Sequence, residues 1–364
     1  MTIQEVSTLL QQWAPLAQAE DFDNVGLLVG DPVTKVTNIL VAHDALENVI
    51  DEAISKECNL VVCFHPIIFT GLKRLNGSNY VEKSVLKAVK NDIAIYAIHT
   101  ALDNLDKGVN YGMASALKLQ NCNILLPKKN SIYKLTTYVP NAFAKALKES
   151  LFEVGAGHIG NYDQCSFSAQ GEGSFRAGEG TNPFVGKKEE QHVEQETQLH
   201  ITFKKHLKKK IVKTLIENHP YEEVAYELVA LENENQNVGM GMIGLLDKPL
   251  VENEFLNLIK TTFRTGGVRH SAKLNKEIKK VAVLGGSGAF AIETAIDQGA
   301  DAYVTADLKY HDYYKAENKI LLADVGHYES ERFTKKLIAD YLTEKIRSFA
   351  VLLSEENTNP INYF

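Results

Sequence analysis

The sequence predicts an α/β protein built on mostly parallel sheets and interrupted by a ferredoxin-like α+β insert. Three observations carry this. Short apolar runs alternate with helical stretches over the first hundred residues, the same alternation returns over the last ninety or so, and the intervening segment changes character. A βαβαβ order implies strands connected by crossover helices, hence a largely parallel sheet covered on both faces.

The elements follow in order. Ile3, Val6, Leu10 and Trp13 recur at helical spacing and mark an amphipathic first helix, followed by an acidic loop over residues 20–23 and a turn at Gly26. Strands are predicted over 38–42, 59–63 and 92–98, with helices over 46–56 and 80–91 between them. Near the other end, a strand over 280–284 runs through Gly285, Gly286 and Gly288 into a helix. Strands over 302–305 and 320–324 come next, then a long helix through Tyr341. In the middle, β-like runs over 133–139, 198–203 and 223–231 alternate with helices over 142–154 and 207–218. Residues 161–176 are rich in Gly, Ser and aromatics, and 187–196 reads as a charged loop. This predicts a discontinuous host, 1–126 with 237–364, carrying an insert over 127–236. The lysines of 204–213 read as the solvated face of the insert's second helix.

Composition narrows the function. A chain of 364 residues suits two or three domains. At 45% hydrophobic and 23% charged residues it is ordinary globular material, with no case for global disorder. A net charge of -7 argues against nucleic acid, since no basic field is available to release counterions from a phosphate backbone. Cys58, Cys63, Cys122 and Cys165 form no C-x-x-C pair and read as small buried hydrophobes of a reducing compartment. The first residues lack a signal-peptide pattern, and no apolar run approaches the roughly 18 residues of a membrane span. A cytoplasmic protein is expected.

Ligands gather at the carboxyl ends of parallel strands, where loops converge on one crevice. That rule puts His65, Asp103, Asp307 and His327 on one rim, with His99 and His311 beside them. His327 and Glu331 stand four apart at the start of the last helix, one turn apart on one face. Together with His65 and Asp103 they form a set of two imidazoles and two carboxylates, suited to Zn, Mn, Fe or Ni rather than to Ca or Mg. Spacing alone leaves open the ordinary alternative, histidines that cap or pack at strand ends. His99 and His311 could carry protons, support the ligands, or serve as structural donors. The glycines at 285–288 could present N–H groups to a phosphate or simply make a tight turn. His158 and His219 fall in the insert and read as structural there.

Residues 62–69 (Val-Cys-Phe-His-Pro-Ile-Ile-Phe), 97–104 (Ala-Ile-His-Thr-Ala-Leu-Asp-Asn) and 326–331 (Gly-His-Tyr-Glu-Ser-Glu) resemble, in order, the signatures of the Nif-three-like family, the GTP cyclohydrolase 1 type 2 homologues. Residues 23–30, 285–288 and 307–312 support the likeness. The middle, through 155–162 and 219–226, resembles the PII/CutA-like insert of long bacterial members. The resemblance implies a Nif-three-like fold, metal ligands at His65, Asp103, His327 and Glu331, one or two divalent ions with zinc the first choice, and a homohexamer. The family commonly has a second histidine where this chain has Phe64, which cannot coordinate a metal, so the second ion is either lost or takes its missing ligand from water or another residue. His43, after the strand at 38–42, is either that substitute or an ordinary polar loop residue. Two functions follow: a metal-dependent hydrolase using an activated water, of which GTP cyclohydrolase chemistry is one form, and a non-catalytic metal-binding or regulatory scaffold sensing an unknown small-molecule ligand or a partner through the insert.

Overall fold

A computed structural model describes residues 1–364 apart from the side chain of Gln236. The chain divides into two compact units, Met1–Pro127 with Gln236–Phe364, and Lys128–Asn235. In the first unit, β1 (Gly26–Val29), β2 (Ile39–Ala42), β3 (Leu60–Cys63) and β4 (Ala94–Ala97) form one sheet, completed by the last strand of the chain, Val351–Leu353. The order is β1-β4-β3-β2 followed by that last strand; β4, β3, β2 and the last strand run parallel, and β1 runs antiparallel to β4. Helices Ile3–Trp13 and Thr334–Lys345 cover one face, burying Ile3, Val6, Leu10, Ile338 and Leu342. Helices Glu47–Ser55 and Tyr80–Lys90 cover the other through Val49, Ile50, Val85 and Ala88. Burial on both sides explains why β2 to β4 are unbroken apolar runs. The first helix is closed by a capping box: Glu5 N–H donates to Thr2 Oγ1 at 3.2 Å, and Thr2 N–H donates to Glu5 Oε2 at 2.9 Å.

β5 (Gln120–Lys128) leads toward the second unit, whose strands are β6 (Ile132–Pro140), β7 (Phe167–Arg176), β8 (Gln191–Lys204) and β9 (Tyr226–Leu231). They alternate with helices Ala144–Glu153 and Lys208–Asn218 in the order β-α-β-β-α-β and pair antiparallel as β7-β8-β6-β9. Leu135, Val139, Leu199, Ile201 and Phe203 meet Leu147, Leu151, Ile211 and Leu215 of the two helices. The lysines at 208, 209, 210 and 213 stay on the solvent face. The charged segment at 187–196 is not wholly a loop, because β8 begins at Gln191 and pairs with β7 over residues 191–200. Its alternation of exposed and half-buried polar residues conceals the strand from a hydrophobic pattern. His219 is structural: its Nε2 donates to the Tyr138 carbonyl at 2.9 Å and its Nδ1 accepts from Tyr221 N–H. His158 is exposed.

The first unit's second sheet comprises β10 (Asn235–Val251), β11 (Arg269–His270), β12 (Glu277–Ser287), β13 (Ala302–Ala306) and β14 (Leu321–Asp324) together with β5, in the order β11-β14-β13-β12-β10-β5. β12, β13 and β14 are mutually parallel; β10 runs antiparallel to β12 and β11 antiparallel to β14. Both sheets are therefore mixed, which corrects the expectation of mostly parallel ones. A short apolar run is apolar whichever way it points, so the sequence pattern carried no signal for the direction of these flanking strands. The long terminal helix is likewise two helices, His327–Glu331 and Thr334–Lys345. Two cysteines, Cys58 and Cys63, are buried, and burial pushes the Cys58 thiol up to about 11; Cys122 and Cys165 are only half-buried. Among the described residues no helix is long and apolar enough to cross a membrane.

Candidate metal centre

The carboxyl ends of the parallel strands in the first unit meet at one place. β2 delivers His43 and Asp44, β3 delivers Phe64 and His65, and β4 leads into the short helix His99–Asp103. From the second sheet, β13 delivers Asp307 and β14 leads through Gly326 into the helix His327–Glu331. Backbone bonds set the loops: His65 N–H donates to the His43 carbonyl at 3.0 Å, and His99 N–H to the Phe64 carbonyl at 2.9 Å.

Glu331 is the hub. Its Oε2 lies 3.2 Å from His65 Nε2, 3.2 Å from His327 Nε2 and 3.4 Å from His43 Nε2, and the His65 and His327 Nε2 atoms are 3.4 Å apart. Each outer imidazole is fixed from behind. His65 Nδ1 sits 2.8 Å from Asp44 Oδ1 and His327 Nδ1 sits 2.6 Å from Asp307 Oδ2, while His43 Nδ1 lies 3.2 Å from Thr334 Oγ1. A carboxylate behind the ring selects the Nδ1–H tautomer and turns the Nε2 lone pair forward, as metal-binding histidines require. Thr358 Oγ1 in turn donates to Asp44 Oδ2, and Ser287 Oγ donates to Asp307 Oδ2.

The donor set fits a cation on two counts. Glu331 Oε2 and Asp103 Oδ1 are buried with no hydrogen-bond donor, because the imidazoles around Glu331 approach it without the alignment of a donated bond. In addition, ligand atoms held about 2.0–2.1 Å from a four-coordinate ion stand roughly 3.3–3.4 Å apart, matching the spacings around Glu331. His65, His327 and Glu331 form one group able to hold a metal, and His43, Asp44 and His65 form a second that shares His65. Asp103 is buried beside the first group, and the charge of Glu331 acts on it.

The electrostatics describe a site balanced by protons. Burial opposes ionisation of Glu331, but the imidazoles of His327, His43 and His65 outweigh it and hold its carboxyl well below the usual range. Burial, then the neighbouring Glu331 charge, pushes Asp103 the other way, well above it. Burial disfavours charge on His65 and His327 too, yet Asp44 with Glu331 pushes His65 up to about 9, and Asp307 with Glu331 pushes His327 up to about 11.

Of the remaining sequence candidates, His99 reaches the cluster: its ring lies 5.3 Å from that of His65, and its Nδ1 is 2.8 Å from Asp23 Oδ1. His311 is exposed, packed against the rings of Tyr310 and Tyr314. His43 is no surface loop residue, being only 2% exposed. Phe64 is fully buried between the rings of His43 and His99. The glycine loop is a tight turn with two of its N–H groups in use: Gly285 N–H donates to Asn110 Oδ1 and Gly286 N–H to Ser330 Oγ, each at 2.9 Å. Sequence reasoning missed Asp44 and Asp23 as the groups behind His65 and His99. The only local signal was their place beside a strand end, which many polar residues share.

A family profile described as Duf34/NIF3 (NGG1p interacting factor 3) matches residues 1–360. The chain belongs to this family. A Duf34/NIF3 relative from Bacillus subtilis, named GTP cyclohydrolase 1 type 2 homolog, is 37% identical over 99% of this chain and 98% of its own length. A Bacillus cereus protein related to NIF3 has a similar crystal structure, with a TM-score of 0.83 at 33% identity over 100% of this chain and 99% of that one. Staphylococcus aureus protein SA1388 matches with a TM-score of 0.80 at 30% identity over 100% and 99%. The mixed α/β architecture and the His/Asp/Glu clusters above are thus those of a Duf34/NIF3 chain.

Because Asp44 holds His65 from behind, Asp44→Asn is expected to weaken metal binding by roughly 10- to 100-fold, the usual effect of losing such a partner. Thr358→Ala, one bond further out, should cost less. Competition titration against a chromophoric chelator measures both.

Proposed function

We propose that this Duf34/NIF3 protein is a metal-dependent hydrolase whose ion is held by His65, Asp103, His327 and Glu331. The observation that carries the reading is the convergence of imidazole Nε2 atoms on one buried carboxylate oxygen, with an aspartate behind each outer ring. The mixed nitrogen and oxygen donors favour zinc, with Mn, Fe or Ni as alternatives, and His43 stands ready as a further ligand where Phe64 offers none. A bound divalent ion would supply a water acidified to a pKa of about 7. His99, oriented through Nδ1 by Asp23, is the group placed to take and return a proton at Nε2. His311, out among the tyrosines, is assigned the lesser part.

A cavity of about 970 Å³ opens over His43, His65, Asp307 and His327, bounded on one side by the tail residues Thr358 to Ile361. That volume admits a nucleotide-sized molecule. GTP is the substrate to try first, because the Bacillus subtilis relative is named for it. The wall charges oppose a triphosphate, however: Asp44, Glu47, Asp51 and Asp307 line the cavity, and Lys87 is already paired with Glu47 at 3.1 Å and Asp51 at 2.7 Å. Other C–N and phosphoester substrates belong in the same screen. The β-α-β-β-α-β order of the second unit and its β7-β8-β6-β9 sheet support reading it as a ferredoxin-like, PII/CutA-like insert. Its presence favours the second reading, a metal-carrying scaffold that senses a small molecule. By resemblance the protein is a cytoplasmic homohexamer.

Turnover that needs metal and vanishes in His327→Ala is the expected result. Stoichiometric metal with no turnover of any screened substrate would leave the scaffold. Loading should also release protons, because ligands must bind deprotonated and His65 and His327 hold theirs near neutral pH. Calorimetry in buffers of different ionisation enthalpy should report about two protons per ion, and apparent affinity should rise with pH through 9 and on toward 11.

A further inference from the structure

We infer that the cleft on the open face of the insert's sheet is a binding site for a small organic cation with a flat aromatic body, of the arylamidinium or arylalkylammonium class. The site is independent of what the metal centre does. In β8 the residues Thr197, Leu199, Ile201 and Phe203 are on the covered side, so Glu196 and Gln198 point to the opposite face. On that face the register sets Ala169 opposite Gln198, Gly171 opposite Glu196 and Phe175 opposite His192. Small residues at 169, 171 and 173 keep the floor low, and a cavity of about 610 Å³ lies above it. The carboxylate of Glu196 occupies the space a side chain at Gly173 would need, since a Cβ there would fall 2.1 Å from Glu196 Oε2.

Glu196 is the decisive group. It is only 8% exposed, its Oε1 accepts from Tyr221 OH at 2.7 Å, and among the described residues no donor meets its Oε2. A carboxylate that is mostly covered, with one oxygen held by Tyr221 and the other still reached by solvent and without a donor, suits a partner that supplies both charge and N–H groups. The walls supply the aromatic part: the Phe175 and Tyr221 rings are 5.9 Å apart, and Phe184, half exposed at the mouth, stands 6.4 Å from Tyr221. Ring faces of this kind attract a cation. The sign of the ligand follows from the lining, which has Glu172, Glu196, Glu222 and Glu223 against Arg176, whose guanidinium is tied to Glu189. Four carboxylates against one committed cation repel a nucleoside polyphosphate.

The test is isothermal titration of the full chain with benzamidinium, its neutral isostere benzamide, the anion benzoate and ATP. Saturable binding of one benzamidinium per subunit is expected, with benzamide at least ten-fold weaker and no binding of benzoate or ATP. Glu196→Gln preserves an acceptor for Tyr221 while removing the charge, and should weaken benzamidinium by roughly 10- to 100-fold. Phe184→Ala, at an exposed position that does not threaten folding, should weaken it several-fold. Absence of saturable benzamidinium binding to the wild type up to about ten times a millimolar affinity, equal binding of benzoate or ATP, or undiminished affinity in folded Glu196→Gln would each overturn the inference.

Discussion

Glu331→Ala should purify with less than about a tenth of the metal the wild type carries, because losing a direct ligand costs more than the roughly 10- to 100-fold lost with a supporting partner. Glu331 is only 3% exposed, and its Oε2 is the atom on which the Nε2 atoms of His43, His65 and His327 converge. Without it the imidazoles face one another across a gap with only Asp103 left as an anionic ligand of the proposed set. Elemental analysis per subunit, on protein prepared without chelator or histidine tag, reads the result directly. Thermal melts give a second reading. Zinc at a hundred times its dissociation constant stabilises a protein that binds it by about 2.7 kcal/mol, so the melting temperature of the wild type should climb with added zinc and that of the variant should not. A variant retaining its full complement of metal would remove Glu331 from the site and with it the hydrolase mechanism.

Gly286→Ala should lower both stability and metal affinity, although residue 286 is not itself a ligand. Its φ of +69 lies in the left-handed region, where a Cβ costs about 1–2 kcal/mol. The added carbon would also fall 2.4 Å from Glu331 Oε1 and 3.4 Å from His327 Cε1. Glu331 runs close to this loop along its length, since a Cβ at Gly285 would lie 3.3 Å from its Cγ. At least a ten-fold loss of metal affinity is expected, together with a drop of several degrees in melting temperature. Gly299→Ala separates the two effects. Its φ of +71 is nearly the same, but no atom lies within 4 Å of the new carbon, so it should lose comparable stability and keep its metal. Equal metal loss in both variants would mean that unfolding, rather than displacement of Glu331, explains the first.

The two glycines look alike in the sequence, and this shows where its reach ended. Helices Ile3–Trp13 and Tyr80–Lys90 were legible because apolar spacing at 3.6 residues is a local property, and β2 to β4 because a strand buried on both faces must be a short apolar run. β1, β10 and β11 were not, since antiparallel pairing at a sheet's flank leaves no mark that distinguishes its direction. The strand half of 187–196 was hidden because its side chains are polar on both faces.

For the site, the chemical inventory was legible in the residues alone: imidazoles and carboxylates just beyond strand ends, with His327 and Glu331 placed on one face by helical geometry. Which of them meet was settled by how the strands pair. That pairing brought His43, separated from Glu331 by nearly the whole chain, to 3.4 Å, put Asp44 and Asp307 behind the rings of His65 and His327, and left His311 among tyrosines. The physical reason is that a metal site depends on distances of about 3 Å between ligand atoms, and strand order, rather than spacing along the chain, determines which strand ends come that close.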